Sequence, residues 1–315
     1  MAQPILVVGS LNIDLVMGVE RAPKSGESLR ANTFETFIGG KGLNQAIAAA
    51  RQGASVRIVG RIGADVFGSQ LRAVVEREGI ESRFLFTTPD TPTGVANILV
   101  DARAENTMLV YAGANGKVTP HDVHSASPHF QGAAVMLTQL EIPMETVRAA
   151  AEQARAMGVQ VVLVPAPKRS VPIEILRLAD IIIANREEIS EALPQPTYDP
   201  ELDARRMARL GVKTVIVTLG ARGAFYLEDP EGPVITVAPY PIHAVDSTGA
   251  GDAFAGAFVA AIADKLPLAG AIQRAMAAGA LACTVMGAEP SLPRKDAVDA
   301  LLSKPFNPTP NPESS

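Results

Sequence analysis

Short runs that are apolar almost throughout constrain this chain more than any other feature: ILVVG at residues 5–9, SVRIVG at 55–60, AAVML at 133–137, VQVVLV at 159–164, DIIIA at 180–184 and TVIVTL at 214–219. A strand with one wet face alternates polar and apolar residues. These do not, so they predict strands covered on both faces. Such strands run parallel, and parallel neighbours need crossover connections, usually helices. Helical spacing follows in the right places. Behind Asp65, a candidate N-cap, Phe67, Leu71, Val74 and Val75 share one face, and Gly79 stops the pattern. Pro143 suits the first position of a helix carrying Val147, Ala150, Ala151, Ala154 and Met157, with Gly158 as its stop. The alternation predicts an α/β fold with a central, mostly parallel sheet flanked by helices in a Rossmann-like three-layer arrangement.

Two stretches interrupt the alternation. Residues 11–38 hold NIDLVMGV and SLRANTFETF around the turn-rich APKSGE, and residues 93–111 read as a hairpin, TGVANILV and NTMLVY, around DARAE. Neither contains a crossover helix, so the two are expected to pair as a small sheet beside the main one, in the manner of a lid. The expected organisation is one α/β domain (residues 1–10, 39–92 and 113–304), a discontinuous β lid (11–38 and 93–112) and a disordered tail, PFNPTPNPESS, at 305–315.

Composition narrows the function classes. With 47% hydrophobic and 19% charged residues, the chain can bury a sizeable core. A net charge of −5 leaves no basic footprint for nucleic acid or an anionic membrane surface. The single cysteine, Cys283, has no internal disulfide partner and reads as a small core residue. The apolar runs at 253–263 and 275–285 fall short of the ~20 residues that a membrane span needs. The opening MAQPILVVGS has no basic leader and reads as a buried strand, so a cytoplasmic protein is expected.

Chemistry concentrates in AVDSTGAGDAFAGAFVAAIA, residues 244–263. Thr248, Gly249, Ala250 and Gly251 lead into a helix whose first turn carries Asp252. Glycines let backbone amides converge, and a helix N-terminus adds partial positive charge, which suits a phosphate or a developing oxyanion. An aspartate beside such a nest could take the proton of an attacking hydroxyl. On the residues alone, Asp252 could equally be a helix cap among glycines that permit tight packing. Two alternatives fail. Lys41 in IGGKGLNQA is followed by Gly, so no G-x-x-x-x-G-K-[ST] exists, and the first strand runs into GSLNIDLV instead of G-x-G-x-x-G.

DSTGAGD resembles the D-[ST]-x-G-A-G-D signature of the phosphofructokinase B, or ribokinase-like, carbohydrate kinases, and GGKGLNQAIAAARQGA resembles that family's other signature. GSLNIDLV, YAGAN, TQLEIP, VPAP, ANREE, VTLGARG and GAEPSLP fall in the family's order from Ile5 to about Leu302. The resemblance implies ATP-dependent transfer of a phosphate to the 5-hydroxyl of D-ribose, or, in related members, to deoxyribose, another sugar or a nucleoside. It implies Asp252 as catalytic base, with the amides of Gly249, Ala250 and Gly251 as the anion hole. Asn12, Asp14, Gly40, Lys41, Asn44 and Glu141 are the implied sugar-binding residues. Asn185 and Glu188 form an N-x-x-E motif, which implies organisation of Mg²⁺ and the phosphates; their spacing would put both on one face of a helix. Thr218, Gly220, Gly223 and Gly251 would run along the nucleotide. A K⁺ site is implied at Asp246, Thr248, Ala282, Val285, Gly287 and Ser291, mostly through carbonyls, whose hard oxygens suit that ion. The uncovered lid edges imply a homodimer.

The chain departs from the family pattern on the nucleotide side. Val164 stands where an Asn is common, and Met276 where a polar residue often meets adenine. The histidines His121, His124 and His129 make no metal face, and His243 belongs to no hydrolase triad.

Overall fold

The computed structural model describes residues 3–103 and 105–304. The tail expected to be disordered, 305–315, lies outside the described residues. The strands in chain order are β1 (Ile5–Val8), β2 (Asn12–Gly18), β3 (Thr33–Gly39), β4 (Val56–Gly63), β5 (Glu81–Thr88), β6 (Gly94–Val100) and β7 (Asn106–Tyr111). They continue as β8 (Val135–Thr138), β9 (Gln160–Leu163), β10 (Ile181–Asn185), β11 (Thr214–Thr218), β12 (Ala224–Leu227) and β13 (Ile235–Val237). Among the described residues nine of them form the main sheet in the order β13-β12-β11-β10-β9-β8-β1-β4-β5. All its pairings are parallel except β11 with β12 and β12 with β13.

Each of the six apolar runs is a strand of this sheet, and β1 and β8 are buried at every position. Period-two alternation is hidden because both faces are dry. Along β1, Ile5 and Val7 enter one core while Leu6 and Val8 enter the other. The first core is roofed by the Lys41–Arg51, Val66–Arg77, Ala250–Ala263 and Leu268–Ala282 helices. The apolar-run rule misses three strands: β12, which is buried at every position, and the two edges. β5 is a partly exposed edge, and β13 is a three-residue edge.

The interrupting stretches form the second sheet, β3-β2-β6-β7, in which β2 pairs with β6 in parallel and the other two contacts are antiparallel. Asp65 fastens the start of β6 to the main body. It caps the Val66–Arg77 helix by accepting from Gly68 N at 2.7 Å, and it also accepts from Thr93 N at 2.8 Å. Pro143 differs from expectation by one position. Its ψ of 136° leaves it as the cap before the Met144–Ala156 helix, outside the first turn. Gly79 and Gly158 end their helices at φ 68° and 72°, as the stop signals require.

One helix crossing sets the position of the site. A Cβ at Gly256 would lie 2.4 Å from Ala48 Cβ and 2.7 Å from the Gln45 carbonyl oxygen. Only glycine lets the Ala250–Ala263 helix press this closely on the Lys41–Arg51 helix. Among the described residues no helix is long and apolar enough to cross a membrane.

Candidate active site

The two signature segments meet at the carboxyl ends of the central strands, where open α/β sheets place ligands. Gly40, at φ 88°, turns the chain from β3 into the Lys41–Arg51 helix, and a Cβ there would strike Asn12 N at 2.7 Å. The first amides of that helix are satisfied from neighbouring loops. Lys41 N donates to Glu141 Oε2 at 3.0 Å, and Gly42 N donates to Ser10 Oγ at 3.2 Å. The Ser10 hydroxyl in turn donates to Glu141 Oε2 at 2.5 Å. Glu141 is therefore fixed in orientation, with one oxygen committed to the protein.

Asp252 lies in the first turn of the Ala250–Ala263 helix and is only 8% exposed. The first turn of the facing helix supplies a donor to each carboxylate oxygen: Gln45 Nε2 to Oδ1 at 2.9 Å and Asn44 Nδ2 to Oδ2 at 3.2 Å. Behind Gln45, Gln139 Nε2 donates to its Oε1 at 2.5 Å. Asn44 Oδ1 and Gln139 Oε1 are buried and find no hydrogen-bond partner among the described residues. Gly249 adopts a left-handed conformation at φ 79° to start the helix. Of the GAG amides, Ala250 N is already bonded to Ser247 O at 3.2 Å, whereas a Cβ built on Gly251 would meet only open space.

The sugar-side candidates come from the second sheet. Asn12 opens β2, is 4% exposed, and accepts at Oδ1 from Asn115 Nδ2 at 2.7 Å. Asp14 follows on the same strand. Gly39 makes room for it, since a Cβ there would stand 2.3 Å from both carboxylate oxygens. Burial, together with the nearby charges of Glu141 and Asp252, pushes the Asp14 carboxyl up to about 7, against the opposing pull of Lys41. Lys41 is itself raised, first by Asp252 and further by Glu141, Glu188 and Asp14. Four carboxylates thus share one ammonium.

On the other side of Gly251 opens a cavity of about 580 Å³, lined by Thr218, Gly220, Gly223, Phe254, Met276 and Cys283 among others. Gly223 is required where it stands, because at φ 86° a Cβ would reach 2.1 Å from Val237 O. Met276 lines this cavity, while Val164 is packed in the core. Asn185 and Glu188 depart from the expected shared helix face. Asn185 is the cap preceding the Arg186–Glu191 helix, accepting from Glu187 N and Glu188 N at 2.9 Å. Glu188 Oε2 accepts from Asn185 N at 2.9 Å in return. This reciprocal box competes with helical geometry at Asn185. Burial raises the Glu188 carboxyl above its ordinary range, partly offset by the Asn185 amide and Lys41.

Asp246 joins two distant segments directly. Its Oδ1 accepts from Thr248 N at 2.9 Å and Thr248 Oγ1 at 2.7 Å, and its Oδ2 accepts from Gly287 N at 2.8 Å. Burial works to raise this carboxyl, but the hydrogen bonds outweigh it and hold the group below its usual value. Ser291 Oγ donates to Ala288 O at 2.7 Å and lies 3.5 Å from Thr248 O. Ala282 O accepts from Val285 N at 3.3 Å.

Sequence reasoning passed over Ser10, Gln45 and Gln139. Ser10 and Gln45 adjoin quoted motif residues, and Gln139 is two residues before Glu141, yet their partners lie 94 to 207 positions away for the two glutamines. No periodicity carries such a signal.

Comparison with known proteins identifies the family. Residues 2–295 match the pfkB family carbohydrate kinases. Ribokinase of Haemophilus influenzae is 36% identical over 299 residues, covering 94% of this chain and 97% of the relative. Deoxyribokinase of Salmonella typhi is 33% identical over 304 residues, covering 95% and 98%. The structure of Arabidopsis thaliana ribokinase complexed with ribose and ATP shares 31% identity at a TM-score of 0.86, covering 97% of this chain and 100% of its own. With both signatures converging on one site, the chain belongs to the pfkB family of carbohydrate kinases and is an ATP-dependent phosphotransferase.

Proposed function

We propose that this kinase transfers the γ-phosphate of ATP to O5 of D-ribose, with Asp252 as general base. The observation that carries the reading is the placement of Asp252. Its carboxylate is buried, held on both oxygens by side-chain amides, and one residue beyond Gly251 at the edge of the large cavity. Ribose occupies the opposite side, against Asn12, Asp14, Gly40, Lys41, Asn44 and Glu141. The unpartnered Asn44 Oδ1 and the largely buried Asp14 carboxylate accept from its hydroxyls. Asp252 takes the proton of the 5-hydroxyl as that oxygen bonds to the γ-phosphorus, and the bond to the bridging oxygen of ADP breaks. Such a transfer depends on positioning and charge more than on covalent help. The helix N-terminus and the amides of Gly249, Ala250 and Gly251 face the transferred charge. Since Ala250 N is already engaged, Gly251 carries the larger share.

The nucleotide lies along Thr218, Gly220, Gly223 and Gly251, with its phosphates toward Asn185 and Glu188. The donor set fits a magnesium ion carried by the nucleotide. Among the described residues no group of three or more His, Cys, Asp or Glu could hold an ion alone, while Glu188 offers one hard oxygen donor near Lys41 and Asp252. When bound, Mg²⁺ neutralises phosphate charge. For K⁺, Asp246 keeps acceptor capacity beyond its three hydrogen bonds, and the carbonyls of Thr248, Ala282, Val285, Gly287 and Ser291 supply the remaining oxygens. The ion would reinforce a junction that Asp246 already makes. Activity is expected to rise severalfold when Na⁺ is replaced by K⁺ at constant ionic strength, and a flat response removes the ion while leaving the kinase.

Phe34, Met108, Leu109, Val110 and Tyr111 expose apolar surface on the second sheet, which supports a homodimer formed through this lid. The use of ATP supports a cytoplasmic location. Phosphorylation of 2-deoxyribose is the second reading, favoured by the 33% identity to Salmonella typhi deoxyribokinase. A coupled ADP-release assay over pentoses, hexoses and nucleosides tests the assignment. D-ribose should turn over, and 5-deoxy-D-ribose should inhibit without turnover. A nucleoside or hexose preferred over every pentose would refute the pentose acceptor.

A further inference from the structure

The proposed base is held by a chain of amides that reaches away from the sugar into the core. Gln45 is 0% exposed and Gln139 is 1% exposed. Gln45 donates to Asp252 Oδ1, and Gln139 donates to Gln45 Oε1. The ionised carboxylate fixes the direction of this chain. A carboxylate only accepts, so Gln45 must turn its NH₂ to Asp252 and its carbonyl away, and only a donor can meet that carbonyl. Gln139 supplies the donor. Its own Oε1 ends the chain against Gly9, where a Cβ would stand 2.2 Å away. Filling this space with an aliphatic side chain would avoid a buried amide oxygen without a partner, which folding disfavours. The arrangement therefore calls for a role other than packing.

We propose that Gln45 and Gln139 are positioning residues that lock the plane of the Asp252 carboxylate. The inference rests on Asp252 as the base. Asn44 alone holds only Oδ2, at 3.2 Å, and leaves the carboxylate free to turn about its Cβ–Cγ bond. Gln45 on Oδ1 stops that rotation, and Gln139 stops the Gln45 amide from turning over and presenting oxygen to oxygen. Both side chains are fully buried and bonded to the Asp252 carboxylate directly or in series, so their loss should act on the proton transfer more than on sugar binding. Gln139 acts only through Gln45.

Steady-state kinetics of Gln45→Met, Gln139→Met, the double variant and Asp252→Asn test this. Methionine keeps the volume of glutamine and removes the donor. Gln45→Met should lower kcat by about 10- to 100-fold, the scale of a misplaced reacting group, with sugar and ATP KM within about twofold. Gln139→Met should lower kcat by a smaller factor, roughly three- to tenfold. The double variant should match Gln45→Met alone, because the second substitution removes nothing that still acts. Independent, multiplying losses, or a rise in KM instead of a fall in kcat, would mean that both residues merely support the fold. Wild-type kcat in Gln45→Met beside an inactive Asp252→Asn overturns the inference and leaves the base standing. An active Asp252→Asn removes the base itself. Should Gln45→Met fail to fold, Gln139→Met decides alone, and an unchanged kcat there overturns the proposal.

Discussion

The floor of the site and its lid bury themselves in opposite ways. On the floor, β1 and β8 are covered at every position, and the two helices bearing Asn44, Gln45 and Asp252 touch through Gly256 and Ala48. In the lid, every residue of β7 is exposed, with Leu109 at 71%. Asp252 sits in the dry part with a donor on each oxygen. Asp14 sits on a lid strand, where burial and the nearby charges of Glu141 and Asp252 raise its carboxyl to about 7. The difference assigns two tasks. On the proposed reading, close packing holds Asp252 as the base, while charge and hydrogen-bonding oxygens on the lid side would bind the acceptor. Damage to the floor should appear in kcat, and damage to the lid should appear in KM and in pH dependence.

The largest effect should come from the base. Asp252→Asn keeps the shape and is expected to lower turnover by roughly 10²–10⁴, with sugar affinity largely kept. Retention of more than about a tenth of wild-type turnover would undo the contrast between the two regions. Gly256→Val should come next. Its branched side chain must push Ala48 and the Gln45 carbonyl away, at a cost of about 1–3 kcal/mol, visible as a lowered melting temperature together with reduced kcat. An unperturbed Gly256→Val enzyme would show that the helix contact is not what sets the base.

Asp14 sharpens the comparison from the lid side. Its folded carboxyl titrates near 7, well above the ordinary 3.8, so it is neutral at pH 5 and charged at pH 8. A carboxyl with a raised folded value favours the fold fully only below its ordinary 3.8 and loses that contribution progressively as pH rises from there through about 7. Asp14→Asn should therefore raise the melting temperature of the ligand-free protein more at pH 8 than at pH 5, where only the first part of that contribution has been lost. In the wild type, sugar KM should rise as pH falls below about 7, because the neutral carboxyl accepts hydroxyl protons poorly, and Asp14→Asn should flatten that rise. Equal stabilisation at both pH values would contradict this electrostatic account. The smallest catalytic effect belongs to Leu109→Glu. It should weaken self-association by at least about tenfold in sedimentation, since a charge would enter a desolvated apolar contact, while kcat stays within about twofold. Unchanged association would remove the lid as the dimer surface.

The fold was legible where burial on both faces left continuous apolar runs, as in ILVVG and TVIVTL. It was hidden at β5 and β13, whose exposed positions dilute the pattern, and at β12, whose four buried residues AFYL make too short a run. Pro143 shifted by one residue because its φ suits a cap as well as a first turn. Within the site, Asp252 and the glycines stood out as a local cluster. The N-x-x-E pair looked like a helix face and is a cap, because a short polar side chain at a strand end bonds the amides ahead of it. Gln45 and Gln139 were illegible for a different reason. Their meaning lies in a contact made only after the sheet has assembled.

The choice of acceptor turns on the groups around Asp14. Asn12, Asp14 and the free Asn44 oxygen are buried or half-buried groups that, on the proposed reading, face the secondary hydroxyls of the acceptor. Removing one hydroxyl should leave such a group unmatched at a cost of roughly 1–3 kcal/mol, or about 5- to 150-fold. The direct measurement is kcat/KM for D-ribose and 2-deoxy-D-ribose by coupled ADP release at pH 8, where Asp14 is charged. D-ribose should lead by at least about fivefold. Equal values, or a preference for 2-deoxyribose, would contradict the ribose assignment.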